Sequence, residues 1–349
     1  MSTAPKPLRI GLVGAGGIAQ AYVQVLSDLD EVVVVGVVDP RHEAAAAAAA
    51  KLDCQGFRDV EGLTGATDLD GVILCTPPAT HVTLAEYFVR HGVPVLCEKP
   101  FAVTPGEARR LIAVADAASV TVTMAAKFRY VDDVHRARDI LVSGMLGDPI
   151  LFENVFASRV QMADRWNANP EVSGGGVLID NGTHSVDIAR FFLGRISEVH
   201  AVEGRRTQSL DVEDTAQMFL RTEQDVLGTV DLSWSIDKSV DHFVRICCSE
   251  GVIEVGWKAS RYRKAGATEW TVFGPGYDKV AALRAEILNF VRALQGTESL
   301  LITADDAIAS VDVVAAAYRS ITRRQWVTVA SPPVRVLGRI SAGAAADVA

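Results

Sequence analysis

The sequence is poor in cysteine and lacks every paired cysteine motif. Its 349 residues include five cysteines, an odd number, with no Cys-x-x-Cys. Cys247 and Cys248 are adjacent, so in a strand they would point to opposite faces and could not bond to each other. Most of the five cysteines lie within or at the ends of apolar, strand-like runs. This pattern predicts small buried hydrophobic residues in a reducing compartment, and it indicates neither a zinc site nor a thiol nucleophile.

Positive charge is also scarce. Lys and Arg number 34 against 43 Asp and Glu, which gives a formal net charge of -9. A nucleic-acid partner is not expected, because phosphates require a basic surface that releases counterions. The run from Ile10 to Ser27 carries no charge, but its four glycines and two glutamines argue against a signal or membrane segment. We therefore expect a cytoplasmic protein that binds no membrane.

The length and a hydrophobic content of 49% predict two domains. Up to about residue 125, short β-branched runs alternate with helical stretches, as in a parallel sheet buried on both faces. Beyond that point most strand-like runs are separated by polar turns, which is typical of antiparallel pairing. We predict a doubly wound Rossmann domain over residues 1–128, an α+β domain with a large open, mostly antiparallel sheet over 129–330, and a flexible tail over 331–349.

The pattern also predicts individual strands. In the first domain they lie at 9–13, 32–38, 71–75, 94–97 and 120–125. In the second domain they lie at 150–157, 199–203, 215–221, 226–235, 242–249, 252–257 and 270–273.

A glycine-rich turn joins the first strand to the first helix. Gly14-Ala15-Gly16-Gly17-Ile18-Ala19 has the Gly-x-Gly-x-x-Ala form of the dinucleotide fingerprint, and the helix amino terminus would bind pyrophosphate. Asp39 follows 20 residues after Ala19, at the distance typical of a carboxylate that binds the adenosine ribose; the alternative is a helix-capping aspartate. An acid there repels a 2′-phosphate, so NAD is predicted over NADP. Arg41 nearby argues for NADP instead, because an arginine at this place can bind the 2′-phosphate.

Two further strand ends carry candidate cofactor contacts. Thr76-Pro77-Pro78 closes the third predicted strand, and His81 follows in the next helix. Glu98-Lys99-Pro100 closes the fourth, so Lys99 would emerge into the crevice where ligands of open α/β sheets bind. We predict cofactor contacts at Thr76, Pro77, His81, Glu98 and Lys99, although a lone histidine such as His81 is more often solvated or capping.

The second prominent motif runs from Gly174 to Asp187. Asp180, His184 and Asp187 are four and then three residues apart, so a helix would place them on one face. The spacing also fits a metal site, but zinc would need a third soft ligand that the chain does not offer, so no metal is predicted. A purely structural Asp/His pair is the other alternative. The three glycines that precede the motif would let the chain pass close to a ligand.

Jointly, these motifs resemble the Gfo/Idh/MocA family (glucose-fructose oxidoreductase, inositol dehydrogenase, rhizopine catabolism) over about Leu8 to Val329. The resemblance implies NAD(P)-dependent hydride transfer between nicotinamide and a secondary alcohol or ketone of a sugar, cyclitol or sugar derivative. It implies Lys99, Asp180 and His184 as the catalytic set, and a homodimer or homotetramer formed through the second sheet. Sequence does not decide whether Lys99 or His184 is the main base. NAD-dependent glycosidases with transient C3 oxidation, and silent cofactor-sensing regulators, are the alternatives.

Cations and aromatic residues lie on the segments that enter the predicted substrate domain. If several converge, they could hold a phosphate, carboxylate or nucleotide diphosphate carried by the sugar; singly, each is more often an ordinary surface cation. This group comprises Lys127, Arg129, Arg159, Arg165, Phe128, Tyr130 and Trp166. The predicted substrate contacts are Lys99, Arg129, Arg165, Trp166, Asp180, Asn181 and His184.

Overall fold

The computed structural model describes residues 6–330, which form two sheets with helices around them. The first sheet contains β1 (Leu8–Val13), β2 (Val32–Val38), β3 (Gln55–Phe57), β4 (Gly71–Leu74), β5 (Val95–Glu98) and β6 (Val122–Ala125). The helices between them are α1 (Gly17–Leu26), α2 (His42–Lys51), α3 (Val60–Ala66), α4 (Pro78–Arg90) and α5 (Pro105–Ala118). All pairings in this sheet are parallel, in the order β3-β2-β1-β4-β5-β6.

Local sequence accounts for these elements. Every residue of β4 and β5 is buried, as expected for strands covered on both faces. The α5 helix begins at a capping box in which Thr104 and Glu107 bond reciprocally to each other's backbone N–H groups, with Pro105 in the first turn. The short β3 and the α3 helix were not predicted, because Gln55–Phe57 is too short and polar to register as an apolar run.

The second half of the chain builds a nine-stranded sheet. Its strands are β7 (Pro149–Ala157), β8 (Ile196–Glu203), β9 (Thr215–Thr222), β10 (Leu227–Ser233), β11 (His242–Cys248), β12 (Gly251–Gly256), β13 (Ser260–Lys264), β14 (Thr271–Gly274) and β15 (Val327–Thr328). Its helices are α6 (Asp132–Val142), α7 (Pro170–Ser173), α8 (Val177–Leu193), α9 (Lys279–Leu294) and α10 (Ala304–Arg323). The order is β14-β13-β12-β11-β7-β10-β9-β8-β15, and β7 pairs with β10 in parallel. The predicted fold class is confirmed.

One face of this sheet packs against helices α6, α8 and α10. Side chains alternate across it: Met218 and Val230 are fully buried, whereas Phe219 and Thr229 on the other face are half-buried and pair across the strands. The predicted association of copies through this sheet stays a prediction. Within residues 6–330, no helix is both long and apolar enough to span a bilayer.

The chain returns to the first sheet near its end. Leu283, Ile287 and Phe290 of α9 are buried in the same core as Ile10 and Leu12 of β1, and α9 packs against α1. A domain division drawn along the sequence assigns α9 to the second domain, but the structure packs it into the first. The predicted tail over 331–349 lies outside the described residues.

Candidate active site

The glycine-rich turn forms an open cradle at the start of α1. Gly14 has φ +97°, and a Cβ there would lie 2.6 Å from the Cys75 carbonyl oxygen, so this turn requires glycine. A Cβ on Gly16 or Gly17 would meet no heavy atom within 4 Å, because both border an open cleft of about 720 Å³. No side chain caps α1 and its first turn has no acid. The free N–H groups of this helix therefore fit a dinucleotide pyrophosphate.

Asp39 is buried at the end of β2 and is held by several donors. It accepts hydrogen bonds from the Ala15 N–H at 2.9 Å and from the Arg41 N–H at 2.9 Å, and the Arg41 guanidinium bonds both carboxylate oxygens at 3.0 Å. Burial acts to raise the pKa of Asp39, but the bonds from Arg41 and Ala15 outweigh it, so the pKa lies below its ordinary value. The Arg41 side chain is 67% exposed and faces solvent beside this carboxylate.

His81 does not reach the cleft, contrary to the prediction that it contacts the cofactor. Its ring is fully buried, with Nδ1 2.9 Å from the Pro100 carbonyl oxygen and Nε2 2.8 Å from the Thr76 carbonyl oxygen. The ring therefore ties the loop after β4 to the loop after β5, and Thr76 itself lines the cleft. Pro77 lies at the start of α4, where its ring precedes the first helical turn.

Lys99 leaves the end of β5 and reaches Asp180 on the first turn of α8. Its Nζ donates to the Asp180 carboxylate and, at 3.2 Å, to the Asp180 carbonyl oxygen. The two side chains are 14% and 21% exposed, so this ion pair stands at the edge of solvent rather than in the core. The structure thus brings together two of the three residues predicted to be catalytic. An ammonium group has three donors, so one remains for a ligand oxygen.

His184 lies one turn further along α8 and faces a second lysine. The Lys127 Nζ lies 3.2 Å from His184 Nε2, and His184 Nδ1 is buried without a hydrogen-bond partner. Burial, together with the charges of Lys127 and Lys99, lowers the pKa of His184 well below its ordinary range. The imidazole is therefore neutral at neutral pH.

Asp187 continues the same helical face but binds a cation that was predicted to contact substrate. The Arg129 Nε donates to Asp187 at 3.0 Å, and its Nη1 donates to Asp306 at 3.1 Å and to the Leu301 carbonyl oxygen at 3.2 Å. The Arg129 and Asp187 side chains are 4% and 1% exposed. The prediction for Arg129 is wrong, because its guanidinium is fully used in holding α8 and α10 against the segment after β6.

A buried carboxylate pair lies behind Lys99. The Tyr22 hydroxyl is 3.0 Å from Glu98 Oε1 and 2.7 Å from Glu286 Oε1, so its single hydrogen is shared between two acids. All three side chains are buried, and Glu286 Oε2 has no hydrogen-bond partner. Burial and the charge of Glu98 raise the pKa of Glu286 to about 8, against the opposing effects of Tyr22 and Lys127. The pair therefore retains a proton at neutral pH.

The three glycines before α8 serve packing rather than a ligand, contrary to the sequence interpretation. A Cβ on Gly176 would lie 1.9 Å from the Glu213 carbonyl oxygen, and a Cβ on Gly175 would lie 2.0 Å from the Tyr318 hydroxyl. The Glu213 carboxylate accepts hydrogen bonds from the Gly176 and Leu178 N–H groups and thereby caps α8. Close approach to this cap is what aims Asp180 and His184 at the two lysines.

The cofactor cleft opens into a second cavity of about 690 Å³ between the two sheets. The two share seven lining residues, namely Lys99, Lys127, Ser158, Val160, Asp180, Asn181 and Lys279. The second cavity adds Phe128, Val155, Phe156, Ala157, His184, Asp237, Ser239, Val240 and Trp257. The Lys99–Asp180 pair stands where the two spaces meet.

The remaining predicted cations do not converge on this cavity. Arg165 and Trp166 line the cofactor cleft together with Gly16 and Gly17, and Arg159 lines a separate pocket beside Trp234. Tyr130 is buried and donates to the Asn289 side chain at 3.1 Å. Of the predicted cations only Lys127 lines this cavity, together with Lys99 and Lys279, whereas Arg165 and Trp166 lie on the cofactor side.

Comparison with known families agrees with this arrangement. Residues 8–126 match the oxidoreductase family with an NAD-binding Rossmann fold, and residues 134–254 match the GFO/IDH/MocA C-terminal domain. The chain belongs to the Gfo/Idh/MocA family. The family and the oxidoreductase class predicted from the motifs are thus confirmed.

Individual relatives are distant but span nearly the whole chain. The rhizopine catabolism protein MocA of Rhizobium meliloti is 27% identical, over 90% of this chain and 95% of its own. Inositol 2-dehydrogenase of Rhizobium meliloti is 24% identical, over 93% and 99%. A levoglucosan dehydrogenase structure in complex with NADH superposes with a TM-score of 0.87 at 19% identity, covering 93% of this chain and all of that one. That likeness shows the fold.

Sequence reasoning did not single out several residues that line the site. Lys279, Asp237 and Trp257 border the cavity from loops and helix starts that carry no motif. Lys127 was noted only as a cation for an anionic substrate. Its pairing with His184 spans 57 residues, and no local spacing could have indicated it.

Proposed function

We propose that this protein is an NAD-dependent dehydrogenase that oxidises a secondary alcohol of an uncharged sugar or cyclitol, or reduces the corresponding ketone. The Lys99–Asp180 pair carries the proposal, because it stands where a glycine-lined dinucleotide cleft meets a polar cavity. Bound nicotinamide supplies the hydride acceptor. The residues of this chain bind and orient the alcohol and manage its proton.

Lys99 is suited to polarising the reacting oxygen. Its Nζ donates to the Asp180 carboxylate and carbonyl oxygen, which leaves one further N–H for a ligand oxygen. Charge that develops on the alcohol oxygen would be stabilised by a preorganised cation in a partly enclosed site. Asn181 supplies a side-chain amide at the same wall, and His184 lies one helical turn away.

The second cavity has the chemistry of a polyol site. Hydroxyls and amides from Ser158, Ser239 and Asn181 offer hydrogen bonds, and Trp257 and Phe128 provide flat apolar walls for the C–H face of a ring. Inositol, apiose and glucoside dehydrogenases among the relatives act on compounds of this kind. Because Arg129, Arg159 and Arg165 lie apart from this cavity, and carboxylates line it beside its lysines, we favour a neutral substrate.

We infer NAD as the cofactor from Asp39, whose ionised carboxylate stands at the end of β2 and disfavours a 2′-phosphate. Structures related in fold contain NAD+ or NADH. A relative named as an NADP+-dependent xylose dehydrogenase shows that the family admits both cofactors. If this chain accepted NADP+, Arg41 is the residue that would bind its 2′-phosphate.

The experiment follows NADH absorbance when the protein is supplied with NAD+ and a panel of neutral sugars, cyclitols and their glycosides. Lys99→Met is expected to lower kcat on the best substrate by about 10²- to 10³-fold, as for loss of one oxyanion-stabilising donor. NADH binding, measured by fluorescence, should change little. Lys264→Met, at an exposed lysine on β13 remote from both cavities, is the matched control.

Three results would contradict the proposal. Full turnover by Lys99→Met would remove the assigned site. Glycoside cleavage without net NADH formation would indicate the glycosidase alternative. Tight NADH binding with no turnover of any compound in the panel would indicate a cofactor-sensing regulator.

A further inference from the structure

Lys127 is a second lysine at the junction of the two cavities. It follows β6, which pairs with β5, so it emerges at the same sheet edge as Lys99. Its Nζ lies 3.2 Å from His184 Nε2 and 4.9 Å from the centre of the Phe128 ring. It lines both the cofactor cleft and the substrate cavity. Lys127 is therefore placed to touch a bound alcohol.

The two lysines differ in how their charge is balanced. Lys99 is in direct contact with the Asp180 carboxylate, so its charge has a counter-ion. Lys127 has no carboxylate within ion-pair distance in the described part of the chain, and its contact is a neutral imidazole. Lys127 is thus the lysine without a counter-ion, and as a free amine it can accept a proton from a bound alcohol.

Charged groups surround Lys127 on several elements, and Asp180 and Asp237 line the same cavity. Burial and the charge of Lys99 lower the pKa of Lys127 to about 8, and Lys279 acts in the same direction. The carboxylates of Glu98, at the end of β5, and Glu286, on α9, act to raise the pKa of Lys127. Because Glu286 retains a proton at neutral pH, Glu98 and Glu286 do not supply two full negative charges. A substantial fraction of Lys127 is then a free amine at mildly alkaline pH.

We infer, on the basis of the proposed function, that Lys127 is the group that takes the hydroxyl proton, while Lys99 donates a hydrogen bond to the alcohol oxygen and His184 positions the Lys127 amine. The alcohol C–H bond breaks with its electron pair leaving as hydride to NAD+, which is reduced to NADH. The O–H proton goes to the lone pair of Lys127 Nζ, and the C–O bond becomes C=O. The alcohol is oxidised, and the new ammonium is deprotonated by solvent.

Lys127→Arg is the decisive variant, because it keeps a cation in place but cannot accept a proton at working pH. We expect kcat to fall by about 10²- to 10⁴-fold with little change in KM, and the rise of kcat around pH 8 to disappear. Small primary amines should rescue Lys127→Ala at rates that follow their basicity. Lys264→Arg, on exposed β13, should match the wild type.

If Lys127 served only to hold charge or bind substrate, Lys127→Arg would retain kcat, and that result would overturn the inference. Rescue that did not depend on the basicity of the amine would overturn it as well.

A titration of the cofactor-free protein tests Lys127 independently of turnover. In protein labelled with ¹³C and ¹⁵N at lysine, the resonance missing from Lys127→Arg identifies Lys127, and its midpoint is expected near 8. A midpoint at the ordinary value of 10.5 would refute the assignment. If the wild type oxidised nothing in the panel, the proposed function would fail, whereas this midpoint would still report on Lys127 alone.

Discussion

Glu286 offers a direct test of the buried carboxylate pair through the pH dependence of stability. Glu286→Gln keeps the shape of the side chain, and the amide oxygen can still accept from the Tyr22 hydroxyl. What the substitution removes is the ionisable proton. The effect should therefore appear as a change in how stability varies with pH.

The sign follows from proton binding by the two states. Burial and Glu98 raise the pKa of Glu286 from 4.5 to about 8 in the folded protein. Below pH 4.5 both states are protonated, and the difference vanishes. Between 4.5 and 8 the unfolded chain releases this proton and the folded protein keeps it, so the free energy of unfolding falls as pH rises. Above pH 8 both states are ionised and the loss is complete.

The size of this loss of stability is bounded by the pKa values of Glu286 in the unfolded and folded states. At about 1.4 kcal/mol per pH unit, the interval from 4.5 to about 8 corresponds to at most about 5 kcal/mol. Glu286→Gln lacks this loss. Relative to the wild type, its free energy of unfolding should therefore rise steadily from pH 5 to pH 8 and then level off.

Urea unfolding at unit intervals from pH 5 to pH 9 measures the difference. Glu61→Gln, at an exposed carboxylate in the first turn of α3, is the matched control and should run parallel to the wild type. A difference between Glu286→Gln and the wild type that stayed constant with pH would refute the shared-proton interpretation of Tyr22, Glu98 and Glu286.

Two further substitutions test the cofactor end and the domain junction. Asp39→Ala frees the exposed Arg41 guanidinium for a 2′-phosphate, so the ratio of kcat/KM for NADP+ to that for NAD+ should rise about 10- to 100-fold; Asp39→Ala/Arg41→Ala should lose that gain. Arg129→Met leaves Asp187 buried without its cation and should cost about 3–5 kcal/mol in urea unfolding. Arg138→Met, whose exposed guanidinium packs on the same Phe191 ring, should cost far less, and equal losses would contradict the ion-pair explanation.

The features that were predicted from the sequence are those encoded by a local pattern of residues. The glycine-rich turn, the lysine after β5 and the Asp180–His184 spacing each have a short-range signature. The structure brings Gly16, Lys99 and Asp180 to one cleft and places His184 in the adjoining cavity. The long apolar runs likewise became strands close to their predicted bounds. These features depend on neighbours within one element, so periodicity and turn chemistry are sufficient to find them.

Features that depend on distant partners could not be predicted in this way. The β13 strand reads Ser-Arg-Tyr-Arg-Lys, and its charges make sense only beside Glu254 and Trp270, which Arg261 contacts. Arg129 looked like a surface cation because its partners Asp187 and Asp306 are 58 and 177 residues away. Glu286 gives a weak signal, a carboxylate on the apolar face of α9, but nothing nearby indicates Tyr22.

The arrangement along α8 explains why lysine serves at one end and arginine at the other. Asp180, His184 and Asp187 face Lys99, Lys127 and Arg129 in succession. Exposure of the acid falls from 21% at Asp180 to 1% at Asp187 along this face.

At the buried end a permanent charge is needed, because a guanidinium that lost its proton would leave Asp187 unpaired, and arginine does not lose it. Toward the open end the proposed chemistry uses lysines, with a hydrogen-bond donor at Lys99 and a proton acceptor at Lys127. One helical face thereby fixes the second sheet to the Rossmann domain and carries the residues proposed to be reactive. A shift of α8 that weakened the junction would therefore also displace Asp180 and His184 from the two lysines.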